Sequence, residues 1–476
     1  MSDDEQPTGT GGAAAYSPDD PAGIAELSDP PPRRERFGWP VYAWGLWDWG
    51  SAAFNAVITT FVFSVYITSD DFGDGASSKL GWALAGAGVL VALFAPLTGQ
   101  RADRSGRRGF WLGVNTFLVI LASAGMFFVQ PSESYLWLGL LLLAAGNVFF
   151  EFASVNYNAM LTDVSTPATV GRVSGLGWGL GYLGGIVLLL IVYFGLISPD
   201  VGLFGVTDED AMDVRVTMLL CALWTLVFSI PVLRTLRDGD RPARGERTRV
   251  GVGASYRLLF ASIGDLWRTD RSTVWFLIAS AVFRDGLAGV FTFGAVIAAN
   301  VFGFTDGGVI IFGIAANVVA GLATIGFGFL DDALGAKRVI VISLVSMVVA
   351  GVVIFFLHDG GTGVFWAFGL LLCIFVGPAQ SASRSYLWRL IPPGKEGQVF
   401  GLYATTGRAV SFMAPAAFAG AIWIGAQVTG VSDTDDAEYF GILGIIAVVL
   451  LGLTLLVTLV KPARDTAPGV DTTQGG

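Results

Sequence analysis

Two ten-residue segments of the chain, GQRADRSGRR at residues 99–108 and GFLDDALGAK at residues 328–337, share three identical residues and a basic residue at a fourth position. Each matched pair is separated by 229 positions (328 − 99, 332 − 103, 335 − 106 and 337 − 108). Tyr157 and Tyr386 keep the same offset (386 − 157). Because a shared offset at such distant sites is hard to produce by chance, the chain is predicted to consist of two homologous halves.

Apolar runs dominate both halves. The 476 residues are 53% hydrophobic and 14% charged, whereas soluble proteins carry roughly 25% charge. Apolar runs close to the ~20 residues that cross a bilayer core recur along the chain. Twelve spans are predicted, at residues 41–67, 80–98, 110–129, 135–157, 171–197, 214–233, 273–300, 307–329, 338–357, 364–388, 399–424 and 439–460. Runs such as 136–145 are apolar on every face, which predicts helices rather than alternating β-barrel strands.

The predicted fold is an all-α membrane protein with twelve transmembrane helices in two pseudo-symmetric six-helix bundles. The predicted boundaries are a disordered cytoplasmic N-tail at 1–36, an N-terminal bundle at 37–233, a cytoplasmic linker at 234–271, a C-terminal bundle at 272–460 and a cytoplasmic C-tail at 461–476. Apolar residues from Tyr256 to Trp267 alternate with charged ones, so the linker is predicted to contain an amphipathic interfacial helix. Residues 1–36 are not expected to be a signal peptide, since no apolar core follows a basic start.

The loops are charged asymmetrically. Basic side chains follow even-numbered spans, at Arg101, Arg104, Arg107, Arg108, Lys337, Arg338 and Lys395. The opposite loops are acidic, with Asp70, Asp71, Asp74, Asp200, Asp208, Glu209, Asp210, Asp213, Asp433, Asp435, Asp436 and Glu438. Positive flanks resist translocation, so both termini are predicted to face the cytoplasm, and the expected location is the cell membrane.

Enzyme chemistry is not expected. The two cysteines, Cys221 and Cys373, lie in different predicted spans, and the single histidine, His358, cannot form a zinc cluster or a nucleophile–base pair alone. No phosphate loop or nucleophile elbow accompanies the carboxylates. We therefore expect no metal, no cofactor and no catalytic residues. With no ATP-binding domain visible, energy is expected from the substrate's own gradient or from a coupling ion, a proton or sodium.

The segment 99–108 resembles the signature that joins helices 2 and 3 in the major facilitator superfamily. The resemblance implies a conformational latch between the halves, formed by Gly99, Asp103, Arg104, Gly106, Arg107, Arg108, Gly328, Asp332, Gly335 and Lys337. Glycines allow a tight turn, and a carboxylate beside helix N-termini meets their dipoles in only one domain arrangement. For Arg104, Arg107 and Arg108 an alternative is anchoring to anionic lipid.

A narrower resemblance joins the segments WDWGSAAF (47–54), YNAML (157–161), GRVSGLGWGLGYLGG (171–185), RDG (284–286) and QSASRSY (380–386). Together they resemble the vacuole-effluxer family, related to fungal autophagy-linked amino-acid exporters. Thr162, where we expect proline, and Arg284, where we expect an uncharged residue, depart from the pattern. Gly175, Gly177, Gly179, Gly181 and Gly185 are interpreted as a face for close helix packing rather than a dinucleotide fingerprint.

Charged residues inside predicted spans are the remaining signal, because each costs at least ~2.5 kcal/mol at a span centre. The substrate or coupling candidates are Asp48, Asn55, Glu151, Asn158, Trp178, Arg284, Asp285, Gln380, Arg384 and Arg408. Arg284 or Arg408 would attract a carboxylate, and Asp48, Asp285 or Glu151 would hold an ammonium or a proton. The alternative is internal pairing, Asp285 with Arg284 or Glu151 with Arg384, which would only fix helix register.

The sequence therefore predicts a secondary active transporter that works by alternating access. It is expected to move small polar metabolites, and the resemblance implies amino acids. The expected partners are a small-molecule substrate and the lipid bilayer, without nucleic acid, and the chain is expected to act as a monomer. Two alternatives stay open: an efflux pump for amphiphilic drugs or lipids, and a non-transporting membrane sensor.

Overall fold

A computed structural model describes residues 37–236, 238, 252–392, 394–430 and 435–461. It contains twelve helices long and apolar enough to span a membrane, as predicted. They are α1 (Trp39–Tyr66), α2 (Ala76–Ser105), α3 (Arg108–Phe128), α4 (Glu133–Val164), α5 (Val170–Ile197), α6 (Glu209–Thr235), α7 (Arg271–Asn300), α8 (Gly307–Leu334), α9 (Ala336–Phe356), α10 (Thr362–Leu390), α11 (Glu396–Thr429) and α12 (Ala437–Leu459). Within the described ranges all regular secondary structure is helical.

Two of the spans are irregular near their middle. Helix α1 changes to π-helical geometry over Ala53–Phe61. Helix α11 consists of two segments, Glu396–Val410 and Met413–Thr429, separated by a turn. Such irregularities free backbone groups and are frequent at functional sites, because regular helices satisfy all their own hydrogen bonds.

Apolar clusters lie within each half and between the halves. One cluster in α1–α6 packs around Phe54, and another joins the halves, with Val91 of α2 and Phe283 of α7 among its members. In α7–α12 a separate cluster packs around Phe365 and Phe418 at the end far from the 335–336 turn. Lipid-facing positions stay apolar as well, so burial alone does not distinguish core from membrane surface.

Glycines bring the two halves together at one end, which we call the basic end because the α2–α3 turn, with Arg107, and the α8–α9 turn lie there. A Cβ added at Gly99 of α2 would lie 1.9 Å from the Gly397 carbonyl oxygen of α11. A Cβ at Gly175 of α5 would lie 2.7 Å from the Thr324 carbonyl oxygen of α8. The α2–α11 and α5–α8 pairs are therefore in backbone contact, and the basic end is closed.

Other glycines of α2 and α8 lie on open faces of these helices. A Cβ at Gly81, Gly86 or Gly88 of α2 would meet no atom within 4 Å, and the same holds at Gly313 and Gly326 of α8. The predicted glycine face of α5 allows α5 to pack closely against α8, because a Cβ at Gly179 would also lie 2.8 Å from the Gly321 carbonyl oxygen.

The linker contains the helix that its sequence predicts, Val252–Thr269. Leu259 and Leu266 are buried, and the Tyr256 hydroxyl donates to the Leu93 carbonyl of α2 at 2.7 Å. Phe260 is exposed on the other face. The predicted N-tail at 1–36, linker residues 237 and 239–251, and the C-tail beyond residue 461 lie outside the described residues.

Candidate functional site

Arg384 of α10 crosses from the C-terminal half into the N-terminal half. Its side chain is 3% exposed. The Nε atom donates to Ser174 Oγ at 3.0 Å and Nη2 to the Ser174 carbonyl at 2.7 Å, both on α5. Nη1 donates to Asn158 Oδ1 of α4 at 3.1 Å and lies 3.6 Å from Asp48 Oδ2 of α1. One guanidinium therefore holds three helices of the other half.

Aromatic rings complete the surroundings of this guanidinium. The centroids of Trp44, Tyr157 and Trp178 lie 4.9, 5.7 and 5.8 Å from the Arg384 Cζ atom. The Tyr157 hydroxyl donates to Asp48 Oδ2 at 2.9 Å. The indole N–H of Trp178 has no hydrogen-bond partner among the described residues. A desolvated guanidinium gains both ion-pair and cation–π stabilisation here.

A second ion pair between the halves joins Glu151 of α4 and Arg408 of α11. Arg408 Nη2 also lies 3.4 Å from Asn147 Oδ1. Unlike Arg384, these side chains are partly exposed, by 22% for Glu151 and 33% for Arg408. The Glu151–Arg408 pair is therefore less enclosed than the contacts of Arg384.

Arg284 of α7 lies beside this pair. Its Cζ sits 3.8 Å above the Tyr403 ring, and Nη1 donates to the Tyr403 carbonyl at 3.4 Å. A Cβ added at Gly407, the neighbour of Arg408, would lie 3.6 Å from Arg284 Nη1. No carboxylate of the described residues is within ion-pair distance of Arg284. The Glu151, Arg284 and Arg408 cluster thus carries an excess positive charge.

Asp285 points away from this cluster. Its Oδ2 accepts a hydrogen bond from the Ala414 backbone N–H at 2.6 Å, at the start of the second α11 segment. The pairings weighed as the alternative, Asp285 with Arg284 and Glu151 with Arg384, are not observed, since Glu151 pairs with Arg408 and Arg384 lies beside Asp48. The carboxylates pair across different helices, because the α11 break brings a helix N-terminus to Asp285 and Arg408 to Glu151.

Two further candidates have less specific surroundings. Asn55 is exposed in the π-helical segment of α1, and Gln380 is half-buried on α10, one turn before Arg384. Neither is brought into the ion pairs described above. Their proposed role in shaping the site stays a prediction.

The first latch motif caps the beginning of α11. Asp103 accepts hydrogen bonds from the backbone N–H groups of Gly397 and Gln398 at 3.0 and 2.8 Å. It also binds Arg108 at 2.7 Å, and Arg108 reaches Glu396 at 2.6 Å. Arg107 is exposed over the Phe110 ring, and Arg104 is half-buried. Asp103 therefore combines an ion pair with helix-dipole stabilisation across the two halves.

The repeated motif caps α5 in the same way. Asp332 accepts from the backbone N–H groups of Gly171 and Arg172 at 2.7 and 3.2 Å, and from Arg172 Nε at 2.7 Å. The expected partner Lys337 instead donates to the Val460 carbonyl. Gly106 and Gly335 have φ of 64° and 86°, which explains the glycines at both turns.

Several partners were not on the predicted list. They are Trp44, Tyr157, Ser174, Arg172, Tyr403, Asp331, Arg389 and Glu396. Tyr157, Arg172 and Ser174 lie inside motifs quoted above, and the Tyr157/Tyr386 repeat was a usable signal. Arg389 binds Asp331 at 2.8 Å. The 229-residue repeat could not indicate this pair, because the equivalents of Arg389 and Asp331 in the first half are Met160 and Ala102.

Comparison with known proteins identifies the family. The model described as "Vacuole effluxer Atg22 like" matches residues 85–466. The chain belongs to this family. An uncharacterized MFS-type transporter of Bacillus subtilis, YxiO, is 26% identical over 427 residues, covering 89% of this chain and 95% of the relative. Autophagy-related protein 22-1 of Neosartorya fischeri is 25% identical over 341 residues, covering 63% of this chain and 51% of the relative, so the alignment spans about half of that fungal protein.

The fold is that of the major facilitator superfamily. The structure of the proton:xylose symporter XylE bound to 6-bromo-6-deoxy-D-glucose matches with a TM-score of 0.68 at 14% identity, covering 90% of this chain and 96% of XylE. Family and fold together show a multi-pass membrane transporter of the MFS type that takes a small-molecule substrate, and not an enzyme.

Proposed function

We propose that the chain is a secondary active transporter of amino acids or closely similar zwitterions in the cell membrane. The observation that carries the proposal is the partly exposed Glu151–Arg408 pair between the halves, with Arg284 beside it. Two guanidiniums and one carboxylate complement a molecule that has one carboxylate and one ammonium. The substrate carboxylate would bind Arg408 and Arg284, and its ammonium would bind Glu151.

This arrangement links binding to movement. The Glu151–Arg408 pair bridges the two halves, so separating them at this level leaves two opposite charges without partners. A zwitterion supplies a replacement for each charge, and the separation then costs less. The substrate thereby lowers the barrier between the two access states, as secondary transport requires. We propose coupling to a proton or sodium gradient, with monomers as the transporting unit and both termini cytoplasmic.

The names of the family and of its relatives point to efflux. The description of the family names vacuole effluxers, and its fungal relatives are named autophagy-related proteins. These names concern the relatives, and the cargo of this chain is our proposal from the charges of the site.

A second candidate function is amphiphile efflux, which one observation favours. The C-terminal half contains an apolar cavity of about 40 Å³ whose lining includes Val290, Ile297, Phe312, Met347 and Phe365. Binding of an apolar group at this cavity would not need Glu151 or Arg408. The two functions therefore predict different effects of the same substitutions.

Transport by the reconstituted full chain tests the proposal. Proteoliposomes would be supplied with a panel of labelled amino acids and a panel of amphiphiles, each with and without a proton or sodium gradient. Glu151→Gln and Arg408→Gln should each abolish gradient-driven amino-acid transport. Glu438→Gln, which removes a carboxylate bound to Asn300 outside the cluster, is the matched control and should keep it. Transport of amphiphiles alone, unaffected by Glu151→Gln, would refute the proposal.

A further inference from the structure

We infer that the N-terminal half carries a preformed binding site for a guanidinium group. Arg384 fills this site as a tethered ligand while the basic end is closed. A small guanidinium compound fills it when the basic end opens. The site consists of Asp48, Asn158, Ser174 and the rings of Trp44, Tyr157 and Trp178. The inference does not depend on which substrate the protein transports.

The contacts match the shape of a guanidinium. Its three nitrogens donate in one fork, Nε and Nη2 to Ser174 and Nη1 to Asn158, at distances of 2.7–3.1 Å. The Asp48 carboxylate supplies the counter-charge at 3.6 Å, and three aromatic centroids lie within 6 Å of Cζ. A compact ammonium cannot reach these acceptors together, because its donors radiate from one nitrogen.

The aromatic walls of the site and Asp48 are held in place by contacts inside the N-terminal half, whereas the Ser174 hydroxyl donates to the Ser381 carbonyl of α10 at 2.8 Å. The Trp44 ring stacks on Tyr157 with centroids 4.3 Å apart, and the Trp44 indole donates to the Tyr157 carbonyl at 3.1 Å. The Trp47 ring stacks on the Tyr157 ring with centroids 4.4 Å apart, and the Trp47 indole N–H donates to Thr116 Oγ1 at 3.0 Å. The Tyr157 hydroxyl orients Asp48. None of these contacts uses Arg384, so the walls persist when the guanidinium leaves.

Gly177 leaves space for the guanidinium group beside the rings of Trp44 and Tyr157. A Cβ there would lie 2.7 Å from the Trp44 ring, 2.9 Å from the Tyr157 hydroxyl and 2.9 Å from Arg384 Nη2. All three distances are too short for a methyl group. One turn along, a Cβ at Gly181 would come no closer than 3.8 Å to Asp48. The Trp44 ring, the Tyr157 hydroxyl and the bound guanidinium group together therefore fill the space at Gly177.

Opening of the basic end must empty the site. Arg384 is on α10, and the same helix donates from Ser381 Oγ to Ser174 Oγ at 3.2 Å. When α10 separates from α5, both contacts break and Asp48 loses its cation. A free guanidinium compound can then occupy the site and keep Arg384 from returning. Since it binds only the open form, it favours that form in proportion to its concentration.

Chemical rescue of an Arg384→Ala variant tests the inference directly. The full-length chain, purified in detergent, would be unfolded by heat at rising millimolar methylguanidinium, with methylammonium at equal ionic strength as the control. Arg384→Ala should lower the Tm, and methylguanidinium should raise it again in a saturable way. Methylammonium should leave it unchanged, and the added Asp48→Asn substitution should remove the rescue.

Three further variants keep the test decisive. Arg384→Ser also removes the guanidinium from the site, so it serves if the alanine variant does not fold, and methylguanidinium should rescue it in the same manner. Gly177→Ala added to Arg384→Ala should prevent rescue, whereas Gly181→Ala should permit it. Equal effects of methylguanidinium and methylammonium, or rescue that survives Asp48→Asn, would overturn the inference.

Discussion

Replacing Asp103 by asparagine perturbs the contact that closes the basic end. The carboxylate is 5% exposed and accepts four hydrogen bonds, from the N–H groups of Gly397 and Gln398 and from Nε and Nη2 of Arg108. Asn keeps the size but removes the charge. Breaking a buried ion pair costs about 3–5 kcal/mol.

Arg108 belongs to the same half as Asp103, so their ion pair persists when the halves separate and its loss favours neither state. The hydrogen bonds from Gly397 and Gln398 do span the two halves, and they exist only when the basic end is closed. Loss of the charge at this partly buried helix N-terminus costs about 1–2 kcal/mol, which shifts the closed-to-open ratio on the order of 10-fold at 1.4 kcal/mol per factor of ten. Asp103→Asn should therefore populate the open state, and Asp332→Asn should do the same through α5.

Distances between spin labels measure this shift. Labels at Arg101 of α2 and Lys395 before α11 lie on opposite sides of the contact. The parent should give one short distance, and Asp103→Asn should add a longer one in substantial amount. Asp74→Asn, an exposed carboxylate of the α1–α2 loop, is the control and should match the parent. An unchanged distribution in Asp103→Asn would refute the latch.

Substitutions at three other places in the structure have distinct expected outcomes. Glu151→Gln or Arg408→Gln alone should abolish amino-acid uptake by proteoliposomes, and the double variant should bind labelled substrate no better than either single one, since both charges hold the zwitterion; wild-type affinity in the double variant would contradict this. Gly177→Ala should lower the Tm by several degrees, whereas Gly181→Ala should not; equal Tm values would show that the space beside Arg384 is not tight. Asp285→Asn weakens the cap on the second α11 segment and should cost about 1 kcal/mol of stability while uptake per folded molecule persists; lost uptake at unchanged stability would place it in the transport site.

The fold follows from features that are local in sequence. Twelve apolar runs of bilayer length predict twelve helices, and the 229-residue offset predicts their two-fold repetition; the structure confirms the spans. The break in α11 was not predicted, although Pro415 is a local signal for it, because proline cannot donate to the Ser411 carbonyl one turn earlier. Asp285 of α7 caps the second segment through the Ala414 N–H. That contact joins helices distant in sequence and leaves no local pattern.

The sequence located the intramembrane charges but not their pairing. Every intramembrane charge on the predicted list makes a polar contact in the structure, but sequence alone could not match Arg384 to Asp48 or Arg408 to Glu151. Such pairs depend on how two bundles dock, which residue spacing does not specify. The roles of these residues in binding or coupling stay predictions.

We propose that substrate binding makes the two halves rotate relative to each other about the Glu151–Arg408 pair. Two pairs of spin labels in the reconstituted chain test it most directly: Arg101 with Lys395 at the basic end, and Ser77 of α2 with Val428 of α11 at the other end. On addition of a transported amino acid, the basic-end distance should lengthen in the same molecules in which the opposite distance shortens. Transport with both distances unchanged, or with both changing in the same direction, would contradict the account.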